Sequence, residues 1–365
     1  MNITEVLVQP QAIAWLPWAV QYFFYIGSAY AAAILFLIAL TFQSHTSHHL
    51  RAALALTSAI GAIVGPLALT GDLHQPGRAW HFYAHFTPWS WMSLGSIFLP
   101  LFSLLAIATA WLYLRNDLVA LQHQNNKLLR LFTKLSLGQW TTSRKLMMSA
   151  AIATVISGLT IALYTGAEIA VVQSRPLWNQ PASPLIWFVT AFSAAIGFTL
   201  LILLLIPSKP KALSLGDTRL VKQTMILSSV LALILIPLWA SNNSAFSLYA
   251  NSQWVNKIAL LTALLVANIL LSLFCLRDSK THFFYLLIVS FICLASAWSV
   301  RWVTMMEVQT IAKFDIGPYP YHLPVGSHGL LGIIGMFGLW IALALLCSEF
   351  VQPKQNINST TLNQH

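Results

Sequence analysis

The sequence predicts an all-α integral membrane protein, a bundle of about nine transmembrane helices with the N-terminus outside and the C-terminus inside (N-out/C-in). Hydrophobic residues make up 58% of the 365 residues and charged residues only 8%, whereas about a quarter of the residues in a soluble domain are charged. The apolar residues form long continuous runs, which favour membrane-spanning helices over the strands of a barrel. The basic residues are concentrated on the loops of one side, and this asymmetry sets the expected orientation.

Nine apolar runs are long enough to cross a bilayer, and no soluble domain fits between them. The expected spans lie near 18–41, 52–70, 89–113, 147–172, 184–206, 223–240, 255–276, 283–300 and 328–349. They predict a single transmembrane helical domain over residues 1–350, followed by a polar cytoplasmic tail over residues 351–365.

The positive-inside rule orients this bundle. With the N-terminus outside, the inner side carries 14 of the 19 basic residues and the outer side carries the other five. The outer five are Arg78, Arg175, Lys257, Arg301 and Lys313. An odd number of spans agrees with termini on opposite sides. We therefore interpret the net charge of +10 as a topology signal and not as a nucleic-acid surface.

Polar residues are unusually dense in three segments that fall on the outer side, at 71–81, 164–178 and 301–328. In addition, Trp18, Gln21, Tyr22 and Tyr25 follow helical spacing and share one face of the first span. A belt of interfacial aromatic residues explains the rings but not Gln21. Together, the three segments and this helix face predict one working site at the outer end of the bundle.

The second span leads to Asp72 and His74, two groups that can accept a proton at useful pH when their surroundings perturb them. A salt bridge between Asp72 and Arg78 that shapes the loop is the structural alternative.

The fourth span contains Tyr164 and Glu168, which are four residues apart and share a helix face. At about 1.5 Å per residue they lie roughly 12 Å and roughly 6 Å below the outer surface. A carboxylate inside a span costs about 1–3 kcal/mol, so it marks a candidate site, and a cationic partner is expected beside it. Arg78, Arg175 and Arg301 are the candidate partners, and an ion pair that only locks helices together is the alternative.

The segment between the last two spans is long, mixed in charge and stiffened by three prolines. We expect loops 72–88 and 302–327 to dock a soluble partner. The second loop can also serve as a lid over the helices, and the two roles are compatible. His328 opens the last span at the outer boundary.

These residues outline an apolar slot with a rim of a tyrosine, carboxylates and histidines, which are the parts that a quinol site needs. The isoprenoid tail needs apolar walls, the ring oxygens need hydrogen bonds, and two protons need bases that lead to water. The expected ring contacts are Tyr164, Gln21, Tyr22 and Glu168. The expected proton acceptors are Glu168, Asp72 and His74. The expected supporting residues are His81, which also leads protons to water, Arg78 and Arg301, which orient the carboxylates, and His328.

The pattern of histidines and cysteines predicts no haem, no iron–sulfur cluster and no metal site in this chain. Haem between helices needs histidines well inside the spans, but all eleven histidines fall in expected loops, at span ends or at the C-terminus. The three cysteines show no metal-binding spacing. They are expected to be small packing residues.

Two groups of motifs resemble the NrfD/polysulfide reductase membrane-anchor family. The first is 71–81 with 87–93, and the second is Tyr164-Thr165-Gly166 with Arg175-Pro176-Leu177-Trp178. The resemblance implies a haem-free anchor of the bacterial cytoplasmic (inner) membrane that oxidises menaquinol or ubiquinol at its periplasmic face. It also implies a ferredoxin-like iron–sulfur subunit and a molybdopterin catalytic subunit as partners on that side. The family's Tyr-Thr-Gly motif places the quinone near Tyr164.

Two alternatives from another class stay open, a secondary transporter and a purely structural anchor. Transporters usually show inverted repeats and broken helices at the membrane midplane. No convincing repeat is present here, and the polar groups lie at the rim. A structural anchor would keep quinol-dependent turnover when Tyr164 and Glu168 are changed.

Overall fold

The computed structural model describes residues 13–123, 126–138, 140–207, 213–241, 248–276, 283–311 and 321–352. Within these ranges it confirms the predicted all-α class, with nine helices long and apolar enough to span a membrane, each overlapping one expected span. They are α1 (Pro17–Thr41), α2 (His48–Asp72), α3 (Trp91–Ala120), α4 (Arg144–Ala170), α5 (Ala182–Leu205), α6 (Leu215–Ser241), α7 (Ser252–Phe274), α8 (Phe283–Trp302, continued by a π-helical turn Val303–Glu307) and α9 (Leu330–Ser348). Residues 353–365 of the expected tail lie outside the described ranges.

Three helices form the centre of the bundle. In the most apolar stretch of α1, α2 and α5, 83%, 78% and 72% of the residues are buried, against 22–44% in the other six helices. The central three therefore pack against protein on all sides, while the others present apolar faces to lipid. Helix α1 packs closely on α2, α4 and α5, and α3 packs against α2 and α4. Helices α1, α2, α3 and α4 thus surround a common interior.

Small residues allow the central helices to approach closely, as is common in membrane bundles. A Cβ atom built at Gly61 of α2 would lie 2.7 Å from the carbonyl oxygen of Tyr25 in α1. The two helices are joined by a short connection in which Ser47 caps α2, its hydroxyl accepting the Leu50 N–H at 3.1 Å. This tight pairing fixes the outer end of α1 beside the outer end of α2.

Prolines shape the packing of α2 against α3. Pro66 lies inside α2 and Pro100 inside α3, and a proline within a helix removes the hydrogen bond to the carbonyl four residues earlier. For Pro66 that carbonyl belongs to Ala62, and it accepts a hydrogen bond of 2.8 Å from the Ser103 hydroxyl of α3. Helix α3 therefore supplies the hydrogen bond that Pro66 removes from the Ala62 carbonyl of α2.

One end of the bundle holds the end of α2, the start of α3 and the connection from α4 to α5; we call it the outer end, after the charge-based expectation. The opposite end is the inner end.

At the outer end, the Arg175 guanidinium donates to the carbonyls of Val308 and Ile311 at 3.1 and 3.0 Å. Burial lowers the pKa of Arg175. This arginine ties the connection after α4 to the end of α8.

Candidate functional site

An apolar cleft opens between α2 and α3 near the outer end of the bundle, with a volume of about 350 Å³. Pro66 and Pro100 both line it, so the proline-containing segments of the two helices form part of its wall. Its lining residues Met92 and Ile107 are 41% and 39% exposed. Since these side chains lie on the face of α3 that points away from the bundle, the cleft is reached from the side.

Tyr164 of α4 lines this cleft on the side that faces the centre of the bundle. Its ring lies directly against Gly95 of α3, where an added Cβ would come within 2.2 Å of the ring carbon that bears the hydroxyl and 2.6 Å of the hydroxyl oxygen. Only glycine leaves room for the ring, since normal carbon–carbon contacts are about 3.5–4.0 Å. Gly95 therefore allows the buried phenol to reach the cleft.

Behind Tyr164 lies a buried polar cluster formed by Tyr22 of α1 and Glu168 of α4. The three side chains interact electrostatically with one another. Tyr22 is fully buried and Glu168 is 5% exposed, yet the Tyr22 hydroxyl and both Glu168 carboxylate oxygens have no hydrogen-bond partner of good geometry among the described residues. Buried polar groups are normally paired, so this cluster has unused hydrogen-bonding capacity next to the cleft.

Asp72 connects the cluster to the outer surface. One of its carboxylate oxygens accepts the Leu16 N–H at 2.9 Å, which caps the start of α1. Helix α1 has no side-chain cap from its own N-cap residue. Asp72 also interacts electrostatically with Glu168 on the buried side and with His74 on the exposed side. The ionisable groups thus follow the order Tyr164, Glu168, Asp72, His74 from the cleft to the surface.

A second, more polar groove of about 590 Å³ lies above the cleft at the outer end. His74, Arg78 and His81 line it, and it shares the wall residues Leu73, Ala79, Phe82 and Met92 with the cleft. His74 and Arg78 are exposed and His81 is half-buried. The groove gives the buried cluster a polar exit to water.

The structure corrects the roles expected for two arginines. Arg301 is buried, and within the described part of the chain it donates to oxygens of Phe23, Trp187, Thr190 and Ala297, at 3.0–3.2 Å. None of these is a carboxylate, because Arg301 lies between α1, α5 and α8 and clamps those helices together. Arg78 is exposed, and the two ion pairs among the described residues, His48–Asp117 and Lys257–Glu307, do not include it.

The alternative of a Glu168–arginine ion pair is therefore not supported. Arg175 is engaged with the end of α8, Arg301 with the central helices, and Arg78 lies in the outer groove. The Asp72–Arg78 salt bridge is likewise not among the ion pairs of the described residues. Among the described residues, no cation forms an ion pair with the carboxylate of Glu168.

The remaining expected site residues differ in their surroundings. Gln21 is fully buried, and neither atom of its amide has a hydrogen-bond partner among the described residues. It is not among the residues that line the cleft, so its contact with a quinone ring stays a prediction. His328 is exposed before α9 and lines neither cavity. Tyr22 and Tyr25 are both buried within the protein, which argues against an aromatic belt facing lipid.

Sequence reasoning missed three residues that build the site. Gly95 admits the Tyr164 ring, Ser103 satisfies the carbonyl freed by Pro66, and Gln309 holds the chain before α1. The side-chain amide oxygen of Gln309 (Oε1) accepts hydrogen bonds from the N–H groups of Ala14 and Trp15 at 3.1 and 2.9 Å. The only sequence signal was a small or polar residue inside or beside an apolar run, which is common in membrane helices.

In the described residues, no group of three His, Cys, Asp or Glu side chains is arranged to hold a metal ion. Residues 312–320 of the second expected docking loop, with Lys313, lie outside the described ranges.

Comparisons with known proteins agree with the motifs. The family model described as "Polysulphide reductase, NrfD" matches residues 5–313. The chain is 37% identical over 358 residues to a subunit of the tetrathionate reductase of Salmonella typhimurium, covering 95% of each chain. It is 24% identical over 191 residues to a subunit of the selenate reductase of Mesobacillus selenatarsenatis, covering 49% of this chain and 45% of the relative.

Proposed function

We propose, from the premise that this chain belongs to the NrfD (polysulphide reductase) family, that it is the quinol-oxidising membrane anchor of a respiratory reductase complex. Its N-terminus would lie in the periplasm and its C-terminus in the cytoplasm, as the distribution of basic residues indicates. The outer end of the bundle, with the cleft and the polar groove, would then face the periplasm. A secondary transporter is the alternative, but transporters usually bind their substrate near the membrane midplane, whereas the cleft and the polar groove lie towards the outer end of the bundle.

One observation carries this proposal: the buried carboxylate of Glu168, which has no cation partner among the described residues, lies beside a tyrosine pair at the back of an apolar cleft that opens towards lipid. A carboxylate without a cation inside a membrane span costs about 1–3 kcal/mol. A purely structural anchor gains nothing from this arrangement. A ligand with two hydroxyl groups and a long apolar tail would use the apolar walls and the Tyr164 hydroxyl, and the carboxylate behind Tyr164 could take up a proton from it.

The residues of the cleft divide the work of quinol oxidation. Tyr164 would hydrogen-bond one ring hydroxyl, because its own hydroxyl lies at the cleft wall. Glu168 would accept a proton through Tyr164 and pass it to Asp72. His74 or His81 would then release it into the outer groove. Tyr22 would keep Tyr164 and Glu168 in place, and the apolar walls around Pro66 would hold the start of the tail.

The electrons would leave on the same side as the protons. Each quinol gives up two electrons and two protons and becomes a quinone, either menaquinone or ubiquinone. The electrons would pass to a ferredoxin-like iron–sulfur subunit docked on the outer loops, including 72–88, and then to a molybdopterin subunit. Exposed aromatic side chains on this surface, Trp80, Tyr83, Phe86 and Trp89, support a docking role.

The terminal acceptor that we propose is tetrathionate, which takes two electrons to give two thiosulfate ions. The tetrathionate reductase relative from Salmonella matches over 95% of this chain. Sequence segments 16–24, 80–84 and 308–310 resemble the membrane subunit of that enzyme. Polysulfide, thiosulfate and nitrite are the alternative acceptors, since the partner subunit selects the acceptor. Turnover of the assembled complex with each of them would distinguish these cases.

Substitution of the two central residues tests the proposal. We expect Glu168→Gln to lower quinol-dependent turnover by about 10²-fold or more, as loss of a proton acceptor does. Tyr164→Phe should lower it by about tenfold through a lost hydrogen bond. Turnover with an artificial electron donor to the partner subunits should be unchanged. Matched controls are Glu349→Gln and Tyr249→Phe, two exposed residues away from the cleft. Unchanged quinol oxidation in both site variants would refute the proposal.

A further inference from the structure

A separate polar cavity of about 480 Å³ lies at the inner end of the bundle, at the opposite end of α1–α4 from the cleft. The ends of α1 and α3 and the starts of α2 and α4 enclose it, and its wall includes Arg51, Tyr113, Asp117, Ala120 and Arg144. The function proposed above does not use it.

Arg51 is held rigidly at the edge of this cavity, with 9% of its surface exposed. Its Nε donates to the Tyr113 hydroxyl at 3.0 Å. One terminal nitrogen, Nη1, donates to the carbonyls of Gln43 and Thr46 at 3.0 and 2.5 Å and to the Thr46 hydroxyl at 2.8 Å. The other, Nη2, has no hydrogen-bond acceptor among the described residues. The guanidinium is thus pre-oriented, and the described residues leave the two N–H donors of Nη2 unused.

The carboxylate within the cavity is already engaged. Asp117 accepts from His48 Nε2 at 2.8 Å, and the other ring nitrogen of His48 lies 3.0 Å from the Tyr113 hydroxyl. Asp117 therefore forms its ion pair with His48 and not with Arg51. Arg144 adds a second guanidinium to the wall and makes no ion pair within the described ranges. Two arginines thus face one carboxylate that is paired elsewhere, which leaves the cavity positive.

We propose that this inner cavity binds a phosphate group, supplied either by the headgroup of an anionic phospholipid or by inorganic phosphate. The free Nη2 group of Arg51 can donate charge-assisted hydrogen bonds to phosphate oxygens, and the Arg144 guanidinium adds a second cation in the same cavity. The cavity lies at the ends of apolar helices, where lipid headgroups lie. Its apolar wall, with Leu40, Leu112 and Met147, suits the carbon chain of a glycerol ester. An uncharged ligand would leave Arg51 and Arg144 unmatched.

The test measures phosphate-group binding by the purified full chain in detergent, with its partner subunits where they co-purify. One arm counts the phosphatidylglycerol retained per chain after washing, with phosphatidylcholine as the uncharged comparison. The other arm titrates inorganic phosphate and follows its phosphorus NMR line width. Two variants leave the hydrogen bonds of Arg51 intact: Arg144→Gln removes one charge, and Ala120→Phe fills the cavity. Arg130→Gln makes the same charge change at an exposed inner residue outside the cavity wall.

We expect Arg144→Gln to weaken binding by about tenfold, the effect of one charge-assisted hydrogen bond. Ala120→Phe should weaken it at least as much, and Arg130→Gln should leave it unchanged. If the wild-type chain retains phosphatidylglycerol and both cavity variants lose it, the phosphate group comes from a lipid headgroup. Binding of inorganic phosphate without retained lipid would identify the free ion. The proposal would be overturned if the wild-type chain bound neither ligand, or if all variants bound the ligand equally well.

Discussion

Glu168 and Glu307 show how the surroundings of one residue type separate structural from functional roles. Glu307 lies 2.7 Å from Lys257 and accepts from the Trp302 indole at 3.2 Å, so its charge is balanced at the outer edge of the bundle. Glu168 is buried and has no such partner among the described residues. The ion pair of Glu307 stabilises a contact between helices, whereas a buried acid such as Glu168 is typical of a functional site.

Asp72 has two separable roles, as a cap of α1 and as the proposed second proton acceptor. Asp72→Asn keeps an oxygen that can accept the Leu16 N–H, whereas Asp72→Ala removes it. We expect Asp72→Ala to lower thermal stability by about 1 kcal/mol, the usual cost of losing a helix cap. Asp72→Asn should retain stability but lose about tenfold or more of quinol turnover. Melting curves and turnover of both variants measure the two effects, and full turnover in Asp72→Asn would limit Asp72 to capping.

Among the helices, the cleft depends on how α2, α3 and α4 meet. Pro66 and Pro100 lie inside two helices and both line the cleft. Ser103 donates to the α2 carbonyl that Pro66 leaves without a helical partner, and Gly95 leaves room for the Tyr164 ring between α3 and α4. The outer end of α1 is held by residues of α2 and of the segment after α8. The site is thus assembled from groups that are far apart in the chain.

Gly95→Ala tests this assembly. The new methyl group would overlap the Tyr164 ring, so either the ring or α3 must move. We expect quinol-dependent turnover to fall by about tenfold or more, since small displacements of positioning groups are costly. Gly335→Ala is the matched control, because nothing lies within 4 Å of a Cβ there. That variant should keep full turnover, and equal activity of the two would contradict the placement of Tyr164 against α3.

Ser103→Ala tests the contact between α2 and α3 in another way. The substitution leaves the Ala62 carbonyl, already deprived of its helical partner by Pro66, without the Ser103 hydroxyl. We expect a loss of about 1–2 kcal/mol in stability. Ser103→Thr should retain it, because threonine keeps the donor. The midpoint of thermal unfolding in detergent measures the difference, and identical midpoints for the two variants would contradict the role of Ser103.

For the molecule as a whole, the arrangement of the site predicts electroneutral turnover. The proposed proton path runs from the cleft through Asp72 and His74 to the outer groove, and the electrons would leave at the same end. No net charge would then cross the membrane in a catalytic cycle. Complex reconstituted in vesicles should turn over quinol without changing the fluorescence of a potential-sensitive dye. A membrane potential formed during turnover and abolished by an uncoupler would disprove this prediction.

The fold class, the helices of the described residues and the family follow from the amino-acid sequence, because continuous apolar runs and local motifs are properties of neighbouring residues. The sequence also singles out Tyr164, Glu168 and Asp72, since ionisable groups are rare within apolar spans. It does not identify the partners of Arg301, which are carbonyls and a hydroxyl from several helices. Nor does it identify Gly95, which matters only because the Tyr164 ring of α4 packs directly against it.

Which side chains meet is visible only in the packed bundle. Leu16 and Asp72 are 56 residues apart, and Ala14 and Gln309 are 295 apart, so no spacing in the sequence encodes their hydrogen bonds. Their contact results from the packing of helices around α1, which depends on shape complementarity along whole helix faces. The same packing leaves Glu168 with no cation partner in the described part of the chain and places the cleft beside Tyr164, next to it.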